Sequence, residues 1–235
     1  MKIKFTSRLS ATLFLLAGIF PEISRGAVIT VDSADGEIIT NTAGVPLYTG
    51  NNAGAVNLPG AYYAGTPLHY VAPVQLPNLG PGTFTNVSFT ITFESVRNTP
   101  VFNVDISGVT GTRPAPALQP ADAAGGTLLV NNFWSASSLP VAGTTYNTGT
   151  GSATIFSSWL NAQYSNGANG GTYAFVRFSP DIANPPTSSG YNLRTANNGS
   201  AASRPFLNYD FTPVPEPSGT LLAGLAAVAL MARRR

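Results

Sequence analysis

The sequence contains no cysteine, a single histidine (His69), and charged residues at only 9% of its 235 positions. Without cysteine there is no disulfide framework and no thiolate-ligated metal centre, and one imidazole is too few for a zinc site. Soluble domains average about 25% charged residues. Disorder driven by charge is therefore excluded, and 43% hydrophobic with 10% aromatic residues is ample for a core. Glycine (24) and proline (19) together make roughly a fifth of the chain, which is turn-rich yet short of low complexity.

Lysine occurs only at Lys2 and Lys4, and the formal charge of +2 is misleading until it is mapped. Lys2, Lys4 and Arg8 open the chain and Arg233, Arg234 and Arg235 close it. Between them, residues 27–212 hold five arginines, no lysine and eight acids, a net charge of −3. A nucleic-acid binder of the electrostatic kind is excluded. At the N-terminus the basic start precedes an apolar run over 9–20, then Pro21 and a polar stretch ending in Ser24, Arg25 and Gly26. That order is the pattern of a secretory signal peptide, residues 1–26, cut between Gly26 and Ala27.

The C-terminal segment, residues 213–235, reads Pro215, Glu216, Pro217, then an almost wholly apolar stretch over 221–232, then the three arginines. A helix over 218–232 measures about 22 Å, against roughly 30 Å of hydrocarbon. It is a marginal span that Arg233, Arg234 and Arg235 would hold as a stop-transfer cluster at the cytoplasmic face. The two prolines keep the preceding segment extended and Glu216 gives it one charge. Proline–glutamate–proline, a short helix with small residues (Ala223, Gly224, Ala226, Ala227) and a terminal arginine cluster together resemble the PEP-CTERM sorting signal of Gram-negative bacteria. The resemblance implies an exosortase, a membrane enzyme that recognises Pro215, Glu216 and Pro217 and removes the helix. The partners implied are that enzyme and the secretion machinery. The localisation implied is an inner-membrane intermediate followed by the cell envelope or extracellular matrix.

The body, 27–212, has no internal repeat and no long helical period. Over 83–93, Val87, Phe89, Ile91 and Phe93 alternate with Ser88, Thr90 and Thr92, the period of a half-buried strand. Phe102, Val104 and Ile106 continue the alternation after a turn, and the two runs are expected to pair as a hairpin. Further strands are expected at 28–31, 37–40, 69–74, 127–133, 152–156, 173–178 and 206–211, separated by glycine, proline, asparagine and serine clusters. One helix is expected at 157–164, with Trp159 and Gln163, and Leu160 and Tyr164, sharing faces. Many short strands with close turns predict an all-β fold, an antiparallel β-sandwich or jelly roll with one short helix.

The second half is similar to the DNRLRE-type carbohydrate-binding-like sandwich modules of bacterial surface proteins. The resemblance lies in Phe102–Ile106 order, the helix with Trp159 and Leu160, a glycine-rich turn, the run Tyr173, Ala174, Phe175, Val176, Arg177, Phe178, and a closing strand after Arg204 and Pro205. The chain lacks that family's name-giving string.

Chemistry is sparse. His69 lies in an alternating run, with no nucleophile elbow anywhere, and is expected to be a strand residue at a surface or in a satisfied hydrogen bond. Glu94, Asp105, Asp181 and Asp210 are the candidates for the carboxylate pair a glycosidase needs. Asp32, Asp35 and Glu37 form the densest acidic cluster, but Ala34 and Gly36 occupy expected calcium-ligand slots, so an Asp-Gly turn between strands is the reading. Tyr62, Tyr63, Tyr70, Trp134, Tyr146 and Tyr191 fall in or beside loop-like stretches, where rings suit stacking on sugars. Phe89, Phe93, Phe175, Phe178 and Trp159 are expected in the core. Two functions follow. One is a non-enzymatic exported matrix protein with no cofactor or metal and with weak glycan binding open as an accessory role. The other is a polysaccharide hydrolase using a carboxylate pair.

Overall fold

The computed structural model describes residues 24–41, 43–51, 56–57, 60–61, 66–185, 189–214 and 229. The signal-peptide stretch 1–23, the sorting motif at Pro215, Glu216 and Pro217, Arg233, Arg234 and Arg235, and Tyr62 and Tyr63 lie outside the described residues. Among the described residues no helix is long and apolar enough to cross a membrane.

Thirteen strands are described, all pairing antiparallel: β1 (Ser24–Thr30), β2 (Gly36–Thr40), β3 (Pro46–Asn51), β4 (Val56–Asn57), β5 (Gly60–Ala61), β6 (Pro67–Gln75), β7 (Gly82–Arg97), β8 (Val104–Gly108), β9 (Thr127–Trp134), β10 (Thr145–Asn147), β11 (Tyr173–Pro180), β12 (Gly190–Arg194) and β13 (Phe206–Pro213). One α-helix, α1 (Ala153–Tyr164), interrupts them. The long strand β7 serves two sheets. Its residues Gly82 to Thr90 pair with β13, which pairs in turn with β1, and Thr90, Ile91 and Thr92 pair with β10. Its far end, Phe93 to Arg97, pairs with β12 and leads into the second sheet, where β6, β11, β8 and β9 lie side by side and β2 and β3 extend β6.

The alternation of β7 decides its packing. Phe84, Val87, Phe89, Ile91 and Phe93 are buried, and the step of three between Phe84 and Val87 is a β-bulge. Asn86 sits there at φ +53°, a left-handed conformation that asparagine tolerates, and donates Nδ2 to Asp210 at 2.7 Å. Facing residues of the second sheet, among them Tyr70, Val104, Ile106, Val176 and Phe178, close a shared core with Leu207 and Phe211 of β13. The architecture is thus mostly antiparallel sheet with one short helix, consistent with a β-sandwich.

Helix α1 covers an open edge. Its Asn161 accepts from Phe84 N (2.7 Å) and donates to Phe84 O (2.9 Å), and Ser157 accepts from Val87 N (3.3 Å), so side chains satisfy ladder groups of β7 that no strand reaches. Phe156, Trp159, Leu160 and Tyr164 are buried on its inner face. Trp159 rests on Gly108, where a Cβ would fall 2.3 Å from the indole. The helix ends in a left-handed Ser165, followed by Asn166 and Gly167 at positive φ.

Two sequence expectations are corrected. Residues 152–156 are not a strand: Ser152 is the N-cap and 153–156 the first turn of α1. Their β-branched Thr154 and Ile155 favour a strand locally, yet Phe156 falls in register with Trp159 and Leu160 on the buried helical face while Ile155 is exposed. The expected hairpin of 83–93 with 102–106 does not form either. β7 pairs with β13, β10 and β12, and β8 pairs with β11 and β9, so the turn after Arg97 carries the chain across the core.

Candidate functional site

Consecutive residues of a strand point to opposite faces. In the second sheet Tyr70 lies opposite Phe178 and Phe178 opposite Ile106, all three toward the core. The same register puts the neighbours on the other face: Val71 opposite Arg177 opposite Ser107, and Ser179 opposite Asp105. His69, opposite Ile38 of β2, completes the polar row.

Part of that row, with Thr40 of β2, is a hydrogen-bonded chain. Arg177 Nε donates to Ser179 Oγ (3.1 Å), which leaves the hydroxyl proton for His69 Nδ1 (2.8 Å) and the ring proton on Nε2, toward Thr40 Oγ1 (3.2 Å). Burial, reinforced by the Arg177 charge, lowers the imidazole pKa to about 3. His69 is therefore neutral at physiological pH, the satisfied strand residue that the sequence suggests, and too weak a base there to take the proton of Ser179. Asp105 accepts from Asn132 N (2.8 Å), and its pKa is raised first by burial and then by the nearby charge of Asp181.

Over this polar face lies a flap, residues 113–126. It is clamped internally on Asp122 and tied to the sheet through Arg113 and Arg177. Arg113 grips both oxygens of the buried Asp122 (2.6 and 2.7 Å) and stacks 3.8 Å above the Phe175 ring. Gln119 N donates to the same carboxylate (2.8 Å). Arg177, from below, donates to Asp122 O (2.9 Å) and Gly125 O (2.8 Å). Ile38, Val71, Val109 and Phe175, with Leu118 and Ala123 of the flap against them, form a small second core beneath it. Two concavities flank the flap. One, of about 280 Å³, is lined by Thr40, His69, Pro67 and Asp181. The other, of about 340 Å³, lies between Val109, Thr110, Gly111 and Thr112 on one wall and Gln119, Gly125 and Gly126 on the other.

Of the acids named from sequence, Asp105 and Asp181 lie near enough for the charge of Asp181 to raise the Asp105 pKa, and the others are held by protein donors. Glu94 is bound to Arg194 (2.5 Å), Asp181 accepts from Asn103 N (2.9 Å) and Nδ2 (2.8 Å), and Asp210 accepts from Gly26 N and Asn86 Nδ2, both at 2.7 Å. In the acidic cluster, Asp35 is fully buried, accepting from Tyr70 OH (2.7 Å) and Ala196 N (2.9 Å), and burial pushes its pKa up to about 6. Asp32 accepts from Ala34 N (2.9 Å). The Asp-Gly turn exists, but β1 and β2 do not pair, so it is a passage from the first sheet to the second.

Of the aromatic candidates, the described ones are turned inward. Tyr70, Trp134 and Tyr191 are core residues, and Tyr146 is half-buried with its hydroxyl accepting from Val141 N (2.7 Å). They lie on strands rather than loops, and their inward positions bury the rings. Phe89, Phe93, Phe175, Phe178 and Trp159 are buried as expected. The residues missed are Thr40, Arg113, Asp122, Arg177 and Ser179. Arg177 and Ser179 share one face of β11 by their spacing of two, the one signal available in the sequence. No protein-family model and no curated protein sequence matches the chain. Function is therefore read from the residues themselves.

Proposed function

We propose that the chain is an exported protein of the bacterial envelope or extracellular matrix, sorted by an exosortase, whose β-sandwich body is non-enzymatic and binds glycan weakly. What supports the export reading is the way the two ends leave the body. β1 and β13 run antiparallel with Ser24 opposite Phe211. Opposed residues of such a pair lie about 5 Å apart, so the start of β1 and the end of β13 lie side by side at one end of the body. Cleavage between Gly26 and Ala27 fits the ladder. The register already breaks between Ser24 and Ala27, Gly26 stands at φ +61°, and Ala27, Val28, Ile29 and Thr30 keep their partners on β13. Glu94 and Asp210 are held by protein donors, which supports the non-enzymatic reading, while Asp105 beside Asp181 is the pair a hydrolase reading would have to use.

The test is Glu216→Ala expressed in a Gram-negative host that carries an exosortase. The tail is expected to stay uncut, with the protein retained in the inner membrane. Release or modification at the wild-type level would overturn the sorting assignment, and hydrolysis of any polysaccharide by the purified protein would overturn the non-enzymatic one.

A further inference from the structure

Of the five arginines in a body of net charge −3, two converge beneath the flap, and between them stands one carboxylate. Asp122 gives both oxygens to Arg113. Arg177, only 8% exposed, is left with neutral acceptors: Ser179 Oγ, Asp122 O and Gly125 O. The Asp122 charge also favours ionised Arg177, but it is shared with Arg113, so the two cations have one carboxylate between them, which is costly. The surplus positive charge lies under the wall of the 340 Å³ hollow, in a body (27–212) whose other charges are mostly negative.

The backbone carries that charge outward. Peptide bonds here are trans, so the N–H of Gly126 points opposite to the Gly125 carbonyl that Arg177 holds. Neither Gly125 N–H nor Gly126 N–H has a partner among the described residues, and both residues stand at positive φ (+61° and +95°). At Gly126 a Cβ would fall 2.5 Å from Gly108 O, so only glycine fits. At Gly125 the space is open.

We propose that this hollow binds the carboxylate of an acidic sugar unit, a uronate of an extracellular polysaccharide. The inference rests on the glycan-binding part of the function proposed above and names its ligand class and site. One surplus charge matches a monoanionic carboxylate better than a dianionic phosphate. The volume is that of a small-ligand pocket; Arg113 and Asp122 line it as well, the Asp122 carboxylate taken up by Arg113, and Thr110, Thr112 and Gln119 offer neutral groups to sugar hydroxyls.

The test is calorimetric titration of the full-length chain in detergent micelles with oligogalacturonate, with neutral gluco-oligosaccharide and with inorganic phosphate. Oligogalacturonate is expected to bind at least about tenfold more tightly than either of the others, with affinity falling as salt rises and the Debye length shortens. Gly125→Asp and Gly125→Asn have nearly the same shape and both tolerate the left-handed backbone. Asp is expected to weaken oligogalacturonate binding about fivefold or more relative to Asn, the effect of one unit charge a few ångströms from the carboxylate. Equal melting temperatures of the two variants show that folding is not what differs. Equal affinity of the two variants, or phosphate binding as well as oligogalacturonate, overturns the proposal. A neutral glycan bound as tightly as the uronate overturns it while leaving glycan binding standing. No glycan bound at all overturns both, and the sorting assignment is judged separately by Glu216→Ala.

Discussion

The second sheet has two faces made by the same strands, and they are held by different forces. On the inner face Tyr70, Ile106, Val176 and Phe178 are sealed against β7 and β13, and stability there comes from apolar area and close packing. On the outer face His69, Ser179, Arg177 and Asp105 have almost no apolar surface to contribute. They are tolerated under the flap because nearly every polar group meets a partner. An inner residue can lose contacts by degrees. An outer one loses a partner outright and strands its neighbour.

The inner face is the more costly to damage. Phe178→Ala removes a fully buried ring that contacts Tyr70, Phe89 and Trp134 at centroid distances of 5.7, 5.5 and 6.3 Å. A loss of about 4 kcal/mol in urea unfolding is expected, with one cooperative transition and an unchanged slope. A loss below about 1.5 kcal/mol would mean that the inner face does not dominate.

On the outer face the most damaging single change is Asp122→Ala. It leaves Arg113 and Arg177 together with no carboxylate and takes the acceptor from Gln119 N. About 3 kcal/mol is expected to be lost. The comparison also sets where the loss appears. Because the flap is pinned to a sheet that stays folded, amide exchange over 113–126 should accelerate first, ahead of global unfolding. Equal acceleration in β7 would show that the two faces are not separable.

The faces also differ in how legible they are from sequence. Alternation of Val87, Phe89, Ile91 and Phe93 declares an inner face directly, because burial there depends only on residue type and period. The register that sets Ser179 beside His69 is absent from such a pattern, since it joins residues 110 apart in sequence. The same holds for the Arg113 and Asp122 clamp, whose proline-rich loop reads only as a turn. Helix α1 was half legible: Trp159, Leu160 and Tyr164 gave its face, while Thr154 and Ile155 pointed to a strand that tertiary packing overrides. The rings of Tyr70 and Tyr191 are candidates for stacking in the sequence because nothing in it shows that β6 and β12 turn both residues toward the core.

The smallest effect tests the two faces against one another through adjacent residues. His69 points outward and Tyr70 inward, where its hydroxyl meets Asp35. Each brings a titration, with opposite sign. The pKa of His69 is lowered from 6.5 to about 3 by burial and Arg177, so below pH 6.5 the unfolded chain takes up a proton that the folded one refuses. Acidification then destabilises the fold progressively down to about pH 3. The pKa of Asp35 is raised from 3.8 to about 6 by burial, so between those values the folded chain holds the extra proton and acidification stabilises it. From pH 6 to pH 4 each contributes about 2 kcal/mol, and from these two groups the wild-type stability should change by less than about 1 kcal/mol. Removing one partner exposes the other. His69→Gln should gain about 2 kcal/mol on going from pH 6 to pH 4, and Asp35→Asn should lose about as much, each measured by urea unfolding at a series of pH values. Parallel pH profiles for the two variants would mean that neither residue titrates where its burial places it. Opposite slopes would show that a flat acid profile arises from two buried groups, one on each face, offsetting one another.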